Sequence, residues 1–128
     1  MMDQEFNLAY YAHSMEIYNS DREAFEYDFI SENFNGFVIC PNNHLGEKGD
    51  IKPYLDIVKK TQTLFVSEYQ GYVGLGVYQE IQIAIKNKIP IYVIYHVPMD
   101  VVLKPFQNMK ITNHFSLTKY GVINSSLT

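Results

Sequence analysis

A parallel α/β sheet is the fold class this sequence predicts, and three observations predict it. Short apolar runs recur at residues 6–12, 37–40, 64–67 and 89–97. Stretches of helical periodicity separate them, and Gly, Asn and Pro mark the turns between. Strands alternating with helices in this way read as βαβ units. The expectation is one Rossmann-like or flavodoxin-like domain over residues 1–128, with a mainly parallel sheet of four or five strands. Helices should cover both faces, with right-handed crossovers.

The first strand, 6–12, is rich in aromatic and apolar residues, and a polar loop follows it. Ser20-Asp21-Arg22-Glu23 has the Ser-x-x-Glu form of a capping box, which predicts a helix start. Phe25, Phe29 and Ile30 would form its apolar face, with Asp21, Glu26, Asp28 and Glu32 toward water. Asn35-Gly36 stops it. The second strand, 37–40, ends at Pro41-Asn42-Asn43, and Asp50 would cap a helix running to about Lys60. The third strand, 64–67, leads through Glu68 into a glycine loop at Gly71, Gly74 and Gly76. A helix over 76–87 follows, with Val77, Ile81, Ala84 and Ile85 on one face. Lys86 and Lys88 suit its C-terminal dipole. The run 89–97 is the most apolar strand. Beyond it, 101–103, 109–112 and 120–123 read as extended.

With 128 residues the chain can bury a core without disulfides or metals. The net charge of −4 and the lack of any Lys/Arg block argue against a nucleic-acid partner. No apolar run approaches the roughly 20 residues that span a bilayer, and no signal-peptide pattern opens the chain. No membrane partner and a cytoplasmic location are therefore expected. The single cysteine, Cys40, excludes an internal disulfide and reads as a small buried hydrophobe at a strand end. No histidine pair shows metal-ligand spacing, so neither a metal nor a cofactor is expected.

A parallel sheet gathers its ligands at the carboxyl ends of its strands. There the first strand offers Tyr11, Ala12, His13, Ser14 and, beyond them, Tyr18; the second offers Asn42; the third offers Glu68, the glycine loop and Glu80. Glycines free backbone N–H groups to approach a ligand. Their spacing is not the Gly-x-Gly-x-x-Gly dinucleotide fingerprint, and no Gly-Lys-Ser/Thr completes a P-loop. Glu80 sits in the first helical turn of this reading, where the dipole keeps a carboxylate ionised. It is either a helix-start stabiliser or a nucleophile aimed into the cleft. His13 could donate a hydrogen bond or a proton, or be structural.

Tyr10-Tyr11-Ala12-His13-Ser14 after the first strand resembles the Tyr-Leu-Ala-Gly-Pro opening of the nucleoside 2-deoxyribosyltransferase-like superfamily. Gly76-Val-Tyr-Gln-Glu80, then Ala84 and Ile89-Pro90-Ile91, resembles its Gly-Thr-x-x-Glu…Gly-x-Ala…Pro-Val segment. The resemblance spans residues 6–97. It implies cleavage or exchange of N-glycosidic bonds, with Glu80 as the nucleophile and Tyr11 and Glu68 orienting it. Ala12, His13, Ser14, Tyr18, Asn42, Gly71, Gly74 and Gly76 would bind substrate. It also implies a nucleoside or nucleotide ligand and a homo-oligomer, with Asn124 a candidate contribution from a neighbouring subunit. The sequence departs from the pattern at His13, Ser14 and Val77, at Ile81-Gln82, and at Glu68 where an Asp is usual. The alternative is a non-catalytic binder that sequesters a nucleotide signal in the same cleft. A flavin-binding domain is disfavoured, because no Ser/Thr-rich phosphate loop follows the first strand.

Overall fold

The computed structural model describes residues 7–46, 49–68, 72–97, 100–105 and 122–124. Among them the architecture is α/β. Five strands form one sheet in the order β2 (Phe37–Ile39), β1 (Leu8–Ala12), β3 (Thr63–Ser67), β5 (Ile91–Val97), β6 (Asp100–Pro105). The first four run parallel, and β6 returns antiparallel along the edge. The expected parallel sheet is present, and β6 adds the antiparallel edge. The reading of 109–112 as extended lies outside the described residues, as do Phe6 and Gly71.

The strands are apolar throughout because both faces are covered, so alternation is lost from their sequence. Tyr10, Ala12, Leu64, Val66 and Val93 point to one face, packed by Val58 of α3 (Lys52–Val58) and by Val77, Ile81 and Ala84 of α4 (Leu75–Lys86). Ala9, Tyr11, Val38, Phe65 and Ile94 point to the other, packed by Ile30 of α1 (Asp21–Glu32). The chain moves one way from β1 to β2 across the α1 face. It moves back from β2 to β3 across the α3 face. Reversing direction and face together gives both crossovers the same hand, as parallel sheets require.

Two helices correct the sequence reading. In α1, Ser20 caps as expected, its Oγ accepting from Glu23 N at 3.1 Å. The reciprocal arm is shifted, since Glu23 Oε1 accepts from Asn19 N at 2.9 Å. Asn19 holds φ 61°, a left-handed turn that Asn tolerates. The buried stripe is Glu23, Glu26 and Ile30, whereas Phe25 is 53% exposed. Glu26, expected in water, is wholly buried because partners on the sheet and on its own helix satisfy it. The second correction concerns Pro41-Asn42-Asn43, expected only to end the second strand: Pro41–His44 form a one-turn helix, α2, with Pro at N1.

The glycine loop is also more ordered than expected. Tyr72–Gly74 form β4, paired antiparallel with β7 (Val122–Asn124), and Gly76 lies inside α4. Gly36 closes the α1–β2 connection, where a Cβ would stand 2.5 Å from the Asn7 carbonyl oxygen. No helix among the described residues is long and apolar enough to cross a membrane.

Candidate functional site

β1 and β3 are neighbours, yet the chain leaves β1 for β2 on one side and β3 for β5 on the other. Such a reversal opens a crevice at the carboxyl ends of the two strands. A cavity of about 660 Å³ lies there, with walls that include Tyr10, His13, Tyr18, Tyr54, Gly74 and Glu80. That volume is in the range of small-molecule sites.

Glu80 occupies the second turn of α4, not the first, and is 6% exposed. Tyr10 Oη donates to Glu80 Oε2 at 2.6 Å. Burial pushes the carboxyl up to about 8, against which the Tyr10 hydrogen bond acts only in part. The expectation of a dipole-held, ionised carboxylate is therefore corrected. The dipole benefit falls off within the first turn, and desolvation prevails. Burial and the adjacent Glu80 also raise Tyr10, which stays a donor. Tyr18 is pushed up to about 12 for the same two reasons. Tyr54 Oη is tied to the Gly46 carbonyl at 2.6 Å. The cavity wall also carries Glu16 and Asp50, and no Lys or Arg among the described residues.

His13 and Ser14, both predicted, line the cavity. Ser14 is spent locally, capping the 3₁₀ turn Met15–Ile17 by accepting from Glu16 N at 3.1 Å. His13 lies flat on the Tyr11 ring, 3.9 Å between centroids, with Tyr18 edge-on at 5.1 Å. Its Nδ1 is 2.9 Å from the Tyr11 carbonyl and its Nε2 is 2.7 Å from Glu23 Oε2. Burial alone would raise Glu23. Hydrogen bonds from His13 and the Asn19 N–H outweigh it and hold the carboxyl below its ordinary range. Cys40 Sγ is 3.8 Å from Glu23 Oε2 and 3.3 Å from Asn42 Oδ1. Burial, then Glu23, push the Cys40 thiol up to about 12, so it is no free nucleophile.

Other predicted residues are placed elsewhere. Tyr11 faces the opposite side of the sheet from Glu80 and donates to Glu26 Oε1 at 2.7 Å. Strand side chains alternate, so Tyr10 takes the place beside Glu80 that Tyr11 was expected to fill. Glu68 is not part of the cavity wall, and its main-chain carbonyl accepts from Arg22. Ala12 is fully buried beneath the site. Asn42 is in α2, beside Cys40 and Glu23. Gly74 and Gly76 border the cavity as N-cap and first turn of α4.

Tyr10, Asp50, Tyr54 and Glu23 went unrecognised in the sequence. Strand parity could have separated Tyr10 from Tyr11 had either neighbour been polar. In the sequence Glu23 reads as a cap alone, because its second partner comes from another element. The chain matches no protein-family model, no curated protein and no solved structure.

Proposed function

We propose that the switch-point cavity takes a nucleoside-like ligand and that Glu80 breaks its N-glycosidic bond. The observation that carries this reading is a single buried carboxyl, held at 2.6 Å by Tyr10, opening into a ligand-sized cavity. In the proposed step the Glu80 carboxylate attacks the anomeric carbon and the base leaves with the bonding electrons. A covalent glycosyl ester forms, and water or a second base then releases it. With the carboxyl near 8, roughly a tenth of the molecules carry the reactive form at neutral pH. The positive charge that develops on the sugar favours that form in the transition state. Tyr10 positions the attacking oxygens, and Tyr18 and Tyr54 offer ring faces to the ligand.

The wall chemistry favours a ligand without phosphates. Glu16, Asp50 and Glu80 would repel them, and the opposing attraction is the uncapped N-terminus of α4 at Gly74. Base release, followed by chromatography across nucleosides, nucleotides and NAD, tests the proposal with Glu80→Gln in parallel. Release from nucleosides that vanishes in the variant is expected. Retained release in the variant overturns the nucleophile.

A second reading is a non-catalytic binder. It is favoured by the largely uncharged resting state of Glu80, which suits donating a hydrogen bond to a ligand. An intact nucleoside that co-purifies and is never cleaved would select it.

A further inference from the structure

Beside the cavity, three elements bring together side chains that the glycosidic chemistry does not use as a group. His13 follows β1, Glu23 is in the first turn of α1, and Cys40 ends β2. Their ligand atoms all lie within 4.8 Å of one another, and the three residues are 5%, 4% and 0% exposed. Imidazole nitrogen, carboxylate oxygen and sulfur are the donor types of a zinc site.

Two further observations ask for a cation here. First, both ring nitrogens of His13 face acceptors: Nδ1 the Tyr11 carbonyl, Nε2 the Glu23 carboxylate. A neutral imidazole carries one proton and can satisfy only one of them. The contact is balanced when one more proton lies between Nε2 and the carboxylate, or when a metal ion takes that place. A ring whose Nδ1–H is held by a backbone carbonyl, leaving Nε2 for the ion, is the usual support of a ligating histidine. Second, Asn42 Nδ2 is buried with no hydrogen bond, near enough to Glu23 to favour its charge but outside bonding geometry. Turning that amide over would place its carbonyl oxygen where the orphaned nitrogen stands.

We propose that His13, Glu23 and Cys40 form a binding site for one divalent zinc-class ion, with the Asn42 carboxamide or a water completing the coordination. The exchange balances. One Zn²⁺ enters, the thiol proton and the proton between His13 and Glu23 leave, and bonds form to Nε2, the carboxylate and the thiolate. Imidazole, carboxylate, the proton they share and the thiol sum to zero charge, as do the ion with neutral imidazole, carboxylate and thiolate. The buried cluster therefore gains no net charge on loading. His13 Nε2 and Glu23 Oε2, now 2.7 Å apart, must open to about 3.3 Å to share one tetrahedral ion. A small rotation of the Glu23 side chain supplies this. The site is independent of the role proposed for Glu80.

The test uses the intact chain, stripped with chelator and titrated with Co²⁺. Because the chain has one cysteine, a thiolate-to-cobalt charge-transfer band in the unmodified protein identifies Cys40 without any variant. The expected result is one Co²⁺ per chain with that band. Zn²⁺ should displace the Co²⁺ and bleach the band. Cys40→Ser should abolish the band, and His13→Gln should weaken Co²⁺ binding by at least about 100-fold. His96→Gln, whose imidazole meets Glu26 and none of the three ligands, should leave both unchanged. No binding, or Co²⁺ bound without the charge-transfer band, overturns the proposal. So does a band that excess Zn²⁺ leaves in place.

Discussion

Tyr10 and Tyr11 are adjacent, both wholly buried, and each donates to a buried glutamate, at 2.6 and 2.7 Å. Their surroundings differ entirely. On the α1 face, Glu26 also receives Arg22 Nε at 2.9 Å and His96 Nε2. Arg22 continues to the Glu68 carbonyl and, at 3.4 Å, to Ser67 Oγ. On the α4 face, Glu80 has Tyr10, and no ion pair reaches it among the described residues. One glutamate is built into a compensated network and the other is left poised beside open space. A buried carboxyl with its charge partners withheld is the kind of group that active sites maintain.

The sharpest way to break this comparison is turnover. Glu80→Gln should reduce base release by at least about 10³-fold. Glu26→Gln should change it only a few-fold per folded molecule, because Glu26 lies across the sheet from the cavity. Stability should show the reverse weighting. Arg22→Met removes one charged partner from a fully buried carboxylate that keeps Tyr11 and His96, and chemical denaturation should register a loss of about 1.5–3 kcal/mol.

Glu80→Gln should instead stabilise, and only at higher pH. The folded carboxyl is raised from 4.5 to about 8, so the unfolded chain ionises first. Wild-type stability is then full below about 4.5 and declines as pH rises through 8. Melting scans at acid and alkaline pH should show the variant equal to wild type at pH 4. At pH 8 it should be roughly 2 kcal/mol more stable, below the linkage ceiling of about 5 kcal/mol.

Smaller still is the effect of each hydroxyl. Tyr10→Phe and Tyr11→Phe should each cost about 1–2 kcal/mol in denaturation. Only Tyr10→Phe should move catalysis. The wild-type rate should rise with pH to a plateau above about 8, and loss of the hydrogen bond that lowers Glu80 should push that rise to higher pH. A wild-type rate that falls above 8 would make Glu80 an acid instead. The smallest effect falls on Phe25, half in water despite its apolar character. Phe25→Ser should alter stability by no more than about 0.5 kcal/mol.

The order of strands and helices was legible because apolar runs and helical periods alternate from residue 7 to 97, and local chemistry writes that pattern. What escaped depends on pairings between distant segments. Tyr10 and Tyr11 give no parity signal, since a strand buried on both faces takes aromatic residues on each. Glu26 reads as a surface residue until Tyr11, Arg22 and His96 are seen around it. The glycines at 74 and 76 suggested a loose loop, because the partner of β4 lies some fifty residues later, at 122–124. Glu80 was found by position, but its protonation could not be, since desolvation is a property of the packed interior. His13, Glu23 and Cys40 show no ligand spacing because each arrives on a different element.

The β4–β7 pair also sets an order in time. β1, β2, β3 and β5 are all made before residue 98, and they can associate while the chain is still emerging. Tyr72 meets its partner Asn124 only after 52 further residues have been synthesised. The strand that leads into Gly74 and the Glu80 helix is thus the last to find its ladder. A nascent chain can hold a finished sheet and an unfinished cavity mouth at once, so ligand competence should appear late in synthesis, after the core is in place.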